Sequence, residues 1–137
     1  MITIRHLDHL VLRVVDLPRM RAFYCNVLDC SVAREQHDIG LTQLRAGASM
    51  IDLVTVSGTL GRAGGAAPAV GGRNLDHFCL RIDWVDEASL RAHLSHHGVT
   101  ASATELRYGA EGEGVSLYLT DPEGNVVELK GDVSPRP

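Results

Sequence analysis

Residues 7–14 read LDHLVLRV, and residues 75–82 read LDHFCLRI. Five of the eight positions are identical, and the other three exchange one apolar residue for another. Both segments are rich in aliphatic and β-branched residues, which predicts a strand in each. The repeat therefore indicates a duplicated module, with a histidine (His9 or His77) at the same place in each copy.

A carboxylate repeats in the same way near the end of each half. Asp52 lies in the apolar segment Ile51–Val54, and Glu128 lies in its counterpart Val127–Lys130. Each module thus supplies one imidazole and one carboxylate, which are ligand types that divalent metals bind. Two such pairs related by an internal pseudo-twofold predict a metal site built between the modules.

The remaining pattern predicts an α+β protein made of two tandem βαβββ modules. The first module, residues 1–56, has strands at 7–14, 31–37, 41–46 and 49–56 and a helix capped by Asp16. The second, residues 74–137, has strands at 75–82, 99–105, 115–120 and 125–130. Its helix, 87–97, is capped by Asp86 and ends at Gly98. The small residues of 57–73 predict a flexible linker. Segment 109–114 is either a hairpin loop or a mobile flap.

Composition narrows the possible functions. A net charge of −4 and an aromatic content of 4% disfavour nucleic acid as a partner. No apolar run approaches the ~20 residues of a membrane span, and the N-terminus lacks a signal-peptide pattern. Three cysteines, at positions 25, 30 and 79, match no zinc or redox spacing. These features predict a cytoplasmic protein with reduced thiols.

These residues resemble the vicinal oxygen chelate superfamily, which includes glyoxalase I, bleomycin-resistance proteins and extradiol dioxygenases. The resemblance lies in five segments: LDHLVLRV, AFYCNVLDC, MIDLVTV, LDHFCLRI and SLYLTDPEGNVVELKG. It implies two modules that curve around a cleft, and commonly a homodimer. It also implies a divalent metal ion (Zn, Ni, Mn or Fe) bound by His9, Asp52, His77 and Glu128. Asp52 departs from the family, since glyoxalase I has the longer glutamate there.

Further site residues follow partly from strand alternation. Arg13 and Arg81 each lie four residues after a histidine and share its face, so either is a candidate to bind an anionic substrate group by a bidentate contact. The resemblance favours Arg13 for this role. It also implies that Tyr118, on the strand beside Glu128, contacts the substrate. His93 and His97 have the i, i+4 spacing of a zinc pair but are assigned to the end of a helix.

The resemblance implies a glyoxalase-type lyase or isomerase that acts on a small substrate with vicinal oxygens through a metal-stabilised enediolate. Glu128 or Asp52 would take a proton from the carbon beside the carbonyl. A first alternative uses only His9, His77 and Glu128, a two-histidine, one-carboxylate triad that suits Fe(II) and an extradiol-type dioxygenase. A second alternative is an antibiotic-resistance thiol transferase or drug-binding protein.

Overall fold

A computed structural model describes residues 1–84 and 86–133. The chain divides into two compact units between Asn74 and Leu75. Each unit contains one four-stranded mixed sheet, and the two sheets have the same strand order. The α+β class and the duplication of a βαβββ module are therefore confirmed.

The first unit follows the predicted order of elements. Its elements are β1 (His9–Val14), α1 (Leu17–Ala22), β2 (Ser31–Gln36), β3 (Leu41–Ala46) and β4 (Ser49–Thr55). In the sheet, β4 lies between β1 and β3, and β2 forms the other edge. The β1–β4 pair is parallel, while β2–β3 and β3–β4 are antiparallel. The central position of β4 gives Asp52 a neighbour on each side, Val11 on β1 and Gln43 on β3.

The second unit repeats this arrangement. Its elements are β5 (Phe78–Arg81), α2 (Glu87–His96), β6 (Glu105–Gly109), β7 (Gly112–Thr120) and β8 (Val126–Val133). Here β8 takes the place of β4, parallel to β5 and antiparallel to β7. Glu128 on β8 accordingly has Cys79 and Tyr118 as its two cross-strand neighbours. Val11 and Cys79 also hold the same position in the repeated octapeptide.

Alternation along β1 is as predicted. Leu12 and Val14 are fully buried, whereas His9 and Val11 are exposed and Arg13 is half-buried. Burying the apolar set of an amphipathic strand is the main source of its stability, because each buried aliphatic side chain contributes about 1.5–3 kcal/mol. The other face of β1, which carries His9, Val11 and Arg13, is therefore available to polar and functional side chains.

Both helix caps are confirmed. Asp16 accepts a hydrogen bond from the backbone N–H of Arg19, and Asp86 accepts one from that of Ser89. Gly98, just after α2, has the left-handed conformation expected of a residue that ends a helix. No helix within the described part of the chain is long and apolar enough to cross a membrane.

The first helix ends in a wide turn. After α1 the chain continues as one π-helical turn, Phe23–Val27, and Asp29 then adopts a left-handed backbone with a φ of 58°. The amide of Cys30 closes this wide turn on the carbonyl of Tyr24 at 2.9 Å. Aspartate tolerates left-handed backbone better than most residues, which allows it to occupy this position.

Two other predictions need correction. The strand predicted at 99–105 is wrong, since β6 runs over Glu105–Gly109 and only Ala101 forms an isolated bridge before it. Val99 and Thr100 suggested a strand by their β-branching, but a two-residue turn that pairs Gly109 with Gly112 sets the register of β6. The same turn makes segment 109–114 part of a hairpin.

Segment 57–73, predicted as a linker, belongs to the first unit. It contains a short 3-10 helix, Gly61–Gly64, and a bridge between Ala69 and Gly72. Its backbone carbonyls are hydrogen-bonded to Arg13 on β1. The small number of large apolar residues in this segment therefore does not leave it detached from the sheet.

Candidate functional site

Asp52 is a buried carboxylate with an incomplete set of hydrogen bonds. Its side chain is 5% exposed, and its Oδ2 accepts a hydrogen bond from Gln43 Nε2 at 3.2 Å. Its Oδ1 is buried and has no hydrogen-bond partner among the described residues. Such an atom costs free energy unless something else binds it. Asp52 thus has the property expected of a ligand to an ion or a proton acceptor.

Glu128, the counterpart of Asp52, is fully hydrogen-bonded. Its Oε2 accepts hydrogen bonds from Ser116 Oγ at 2.9 Å and Cys79 Sγ at 3.2 Å. The hydroxyl of Tyr118 also hydrogen-bonds to this carboxylate. Burial alone would raise the pKa of Glu128, but these donors, together with the nearby charge of His77, lower it. The second unit therefore holds Glu128 as a carboxylate in a fixed orientation.

His77 lies directly beside Glu128. Its Nε2 is 3.4 Å from Glu128 Oε1, and its ring packs edge-on against Tyr118 with centroids 5.5 Å apart. Donor atoms bound at about 2.0–2.2 Å to one metal ion lie roughly 3 Å apart, so this separation fits two ligands of the same ion. The structure brings together three of the predicted site residues, His77, Tyr118 and Glu128.

The other ring nitrogen of each histidine pairs with the preceding aspartate. Nδ1 of His9 is 2.8 Å from Asp8 Oδ2, and Nδ1 of His77 is 2.6 Å from Asp76 Oδ2. A carboxylate on Nδ1 places the proton there and presents Nε2 as the metal-binding nitrogen. The hydrogen bond to Asp8, and the nearby charge of Asp52, raise the pKa of His9.

Sequence reasoning did not identify these two aspartates, nor Ser116. The signal for the aspartates was present, because the repeated octapeptide conserves the Asp-His pair and not the histidine alone. Cys79, an exposed residue, also donates to Glu128. Partial burial of its sulfur and the contact with Glu128 raise the pKa of this thiol to about 12, so it acts as a hydrogen-bond donor.

The first unit contains a cavity of about 370 Å³ beside Asp52. Four aliphatic side chains line it, those of Val11, Leu41, Val54 and Leu60. The lining also includes Asp52 and Arg13 and two glycines of the segment after β4. Mostly apolar walls with a few polar groups are typical of small-molecule sites.

Both predicted anion-binding arginines already have hydrogen-bond or ion-pair partners within the protein. Arg13 donates four hydrogen bonds to backbone carbonyls, two of them to Gly61 and one each to Gly65 and Ala66. Arg81 forms ion pairs with Glu111, at 2.6 Å, and with Asp132. The assignment of substrate contacts to these arginines stays a prediction, because both have protein partners here.

Each unit, taken by itself, presents donors that suit a divalent metal ion. In the first unit this is the buried, unpartnered Oδ1 of Asp52, and in the second it is the oriented Nε2–Oε1 pair of His77 and Glu128. Within residues 1–84 and 86–133, no three His, Cys, Asp or Glu side chains already converge as a complete metal cluster. His93 and His97 stack edge-on at 4.9 Å on the exposed end of α2, apart from these pairs.

Comparison with known proteins agrees with the fold. The family model described as Glyoxalase/Bleomycin resistance protein/Dioxygenase superfamily matches residues 6–129. The chain is 26% identical over 129 residues to the mitochondrial methylmalonyl-CoA epimerase of Bos taurus, a match that covers 90% of this chain and 73% of the relative. The corresponding Homo sapiens epimerase is 25% identical and is covered to 72% of its length.

Two solved structures illustrate the structural likeness. An integron cassette protein from the mobile metagenome of V. Pseudocholerae superposes with a TM-score of 0.76 at 27% identity, over 98% of this chain and 99% of that one. The fosfomycin resistance protein FosX from Listeria monocytogenes gives a TM-score of 0.70 at 19% identity, over 96% of this chain and 94% of that one. The second likeness is one of fold.

Proposed function

The chain belongs to the Glyoxalase/Bleomycin resistance protein/Dioxygenase superfamily, and we propose that it is a divalent-metal-dependent lyase or isomerase that acts on a small molecule with neighbouring oxygens. One observation carries the proposal. Both modules place an Asp-His pair and a buried carboxylate at equivalent positions of equivalent sheets. Structural packing alone does not require that arrangement twice.

The proposed metal ligands are His9, Asp52, His77 and Glu128, within one chain or across two copies of it. Asp8 and Asp76 hold the two imidazoles with Nε2 presented. The bound ion would polarise a substrate carbonyl and stabilise negative charge that develops beside it. Zn, Ni, Mn and Fe all suit these nitrogen and oxygen donors.

The two carboxylates have different proposed roles. The donors on Glu128 fix its orientation, and those from Ser116 and Cys79 both lie on Oε2, so that Oε1 remains available to an ion, which suits a permanent ligand. Asp52 has one donor and a free Oδ1 beside an apolar cavity, which suits the group that takes a proton from the substrate carbon and returns it. Tyr118 orients Glu128 through its hydroxyl and is the proposed substrate contact on the same side.

An isomerase agrees with the named relatives. An epimerase removes a proton from a carbon and returns it on the other face, and the mammalian relatives carry the name methylmalonyl-CoA epimerase. We propose a proton transfer of this type for the present chain, with an acyl thioester or a 2-oxo compound as the substrate class. Removal of the proton needs one positioned carboxylate and one site for the developing oxyanion, and its return on the other face needs a proton donor on that face.

A metal titration combined with proton exchange tests the proposal. The metal-free protein is titrated with Mn²⁺, Ni²⁺ and Zn²⁺ by calorimetry, and each form is then incubated in D₂O with a panel of 2-methylacyl thioesters and hemithioacetals. We expect one ion per chain and loss of the substrate C–H signal in the ¹H NMR spectrum. Substituting any of the four ligands by alanine should weaken metal binding by tenfold or more.

A surface histidine provides the control. His93→Ala removes half of the exposed i, i+4 pair, which is itself able to chelate metal, and should leave the site stoichiometry unchanged. If the four ligand variants bind metal as tightly as the wild type while His93→Ala loses it, the proposed site is wrong. If metal binds as expected but no substrate in the panel exchanges its proton, the isomerase part is wrong.

Two further proposals complete this assignment. We propose a homodimer, consistent with exposed apolar side chains at Leu106 and Tyr108 on β6, the edge strand of the second sheet. Light scattering at micromolar concentration would give twice the chain mass if this is right. We also propose a cytoplasmic location, consistent with three free cysteines.

A further inference from the structure

Arg13 carries the most hydrogen bonds to backbone carbonyls of any side chain discussed above, and none of them goes to a neighbouring strand. Its guanidinium Nη2 donates to the carbonyls of Gly61 at 2.9 Å and Gly65 at 2.7 Å, and Nη1 donates to that of Ala66 at 2.9 Å. These acceptors all lie in residues 60–66, which we call the strap. One rigid planar group thus fastens a seven-residue segment to β1.

The fit between the strap and Arg13 depends on glycine. A Cβ on Gly64 would lie 2.4 Å from Arg13 Nε, so the guanidinium passes directly against the backbone of the strap. A Cβ on Gly61 would lie 1.8 Å from the carbonyl oxygen of Thr55, so the strap also lies flat on the end of β4. Only glycine permits both close approaches.

The main chain of Arg13 is fixed as well. Its N–H donates to Asn74 Oδ1 and its carbonyl accepts from Asn74 Nδ2, each at 3.1 Å. The Arg13 side chain thus binds the strap itself, and the Arg13 backbone binds Asn74, which follows the strap in the chain. This double attachment defines the position of Leu60 and Gly61 relative to Asp52.

The strap forms one wall of the cavity beside Asp52. Leu60, Gly61 and Gly64 line it from the strap, opposite the aliphatic side chains of the sheet. The cavity offers apolar surface and one carboxylate, while the donors of Arg13 are directed to the carbonyls of the strap. A negatively charged group would therefore meet Asp52 while the Arg13 donors are already bound to carbonyls, whereas an uncharged aliphatic group would meet matching walls.

We propose that Arg13 is a positioning residue whose clamp on the strap builds an apolar subsite next to Asp52, and that this subsite takes an uncharged alkyl or acyl chain of the substrate. The inference rests on the proposed function in one respect, which is that the substrate reacts at Asp52. The subsite itself is formed within the first unit and is independent of metal. In this proposal Arg13 does not bind an anionic group of the substrate but determines which chain lengths the subsite accepts.

A series of straight-chain alcohols in metal-free protein tests the subsite. Ethanol to hexanol are titrated into protein with ¹³C-labelled Val and Leu methyl groups, and the shifts of Val11, Leu41, Val54 and Leu60 report occupancy. We expect affinity to increase about fourfold per added methylene until the cavity is full. Pentanoate should bind at least about tenfold more weakly than pentanol, because Asp52 repels it.

Substitutions at Arg13 separate the two roles. Arg13→Lys keeps the positive charge but cannot form the four hydrogen bonds of the guanidinium. The increase in alcohol affinity per added methylene should therefore fall below about 1.5-fold, and Arg13→Gln should show the same decrease. An anion-binding arginine would instead give a lysine variant close to wild type and a glutamine variant that loses pentanoate. Arg62→Lys, on the exposed side of the same strap, is the matched control and should keep the wild-type series.

Two more variants guard against a change in folding. Gly64→Ala displaces the guanidinium without altering Arg13. Alcohol affinity in this variant should therefore depend as weakly on chain length as it does in the Arg13 variants. Leu60→Ala removes apolar wall and leaves the clamp intact, so it should weaken the longer alcohols only. A wild-type series that is flat, or pentanoate that binds as well as pentanol, overturns the inference.

The outcome is distinguishable from failure of the proposed function. Asp52→Asn should keep the alcohol series while it loses metal affinity. If the wild type binds no metal but shows the methylene series, the proposed function fails and the subsite stands. If metal and proton exchange behave as proposed but the series is flat in metal-free protein, only the subsite is wrong.

Discussion

The unequal hydrogen bonding of Asp52 and Glu128 predicts opposite stability effects from the same chemical change. In metal-free protein, Asp52→Asn removes a charge from a buried carboxylate whose Oδ1 has no hydrogen-bond partner among the described residues. An unsatisfied buried polar group costs about 1–3 kcal/mol, and more if it is charged. We expect the free energy of unfolding to rise by about 1 kcal/mol and the Tm by about 3–5 °C.

Glu128→Gln should act in the opposite direction. Glu128 accepts hydrogen bonds from Ser116 and Cys79 on one oxygen, and an amide nitrogen placed there would face two donors. Hydrogen bonds to a charged group contribute about 1.5–3 kcal/mol each, so a loss of about 2 kcal/mol is a conservative expectation. The Tm of the metal-free protein should fall by roughly 6–10 °C.

Differential scanning calorimetry with and without metal measures both effects. At a metal concentration of about 100 times Kd, binding stabilises the wild type by about 2.7 kcal/mol, and both variants should lose most of this gain. Asp121→Asn is the matched control. This buried aspartate accepts hydrogen bonds from the amides of Glu123 and Asn125, so its variant should be destabilised yet respond to metal normally.

The direction of the Tm change in Asp52→Asn tests this reasoning. If this variant lowers the Tm of the metal-free protein as much as Glu128→Gln does, then Asp52 stabilises the fold and is not a group held at a cost for function. If it raises the Tm and still binds metal like the wild type, Asp52 is not a ligand. Retention of the full metal response by Glu128→Gln would likewise contradict its assignment as a fixed ligand.

Three further predictions follow from single positions. Asp29→Gly should raise the Tm by about 3–5 °C, because a left-handed backbone costs a non-glycine residue roughly 1 kcal/mol, and Asp29→Ala should lower the Tm of the same melting curve. Asp8→Ala and Asp76→Ala should each weaken metal affinity by about tenfold in calorimetric titrations, whereas the exposed Asp83→Ala should not. Asp86→Ala should lower the Tm at neutral pH. Hydrogen bonds from the first amides of α2 lower the pKa of Asp86, so its contribution is present above the ordinary value of 3.8 and is lost as the pH falls below it.

The repeat was sufficient to predict the architecture. The duplicated octapeptide and the two capping aspartates fix the start of each module, and strand alternation correctly separates buried Leu12 and Val14 from exposed His9. These are local signals, each carried by a few adjacent residues. They succeed because the period of a strand and the chemistry of a helix cap do not depend on distant contacts.

The misplaced elements depend on non-local pairing. The position of β6 is set by its hairpin with β7, in which Gly109 pairs with Gly112. Strand alternation within a segment cannot reveal which residues of a neighbouring strand it pairs with. Segment 57–73 was predicted as a linker because its residues are small and few of them are large and apolar. Arg13 nevertheless holds it through its backbone carbonyls, which every sequence has and which therefore give no signal in the sequence.

Duplication alone would give two equivalent half-sites, yet the cross-strand neighbours have made them different. Asp52 has Val11 and Gln43 beside it, while Glu128 has Cys79 and Tyr118 at the same two positions. One carboxylate thus receives a single donor and the other receives several. A metal-assisted proton transfer needs one group that stays in place and one that is free to exchange a proton, and different environments for paired carboxylates are how such roles are separated. The cavity lies beside Asp52, the carboxylate with the free oxygen, so the binding surface and the proposed base belong to the same module.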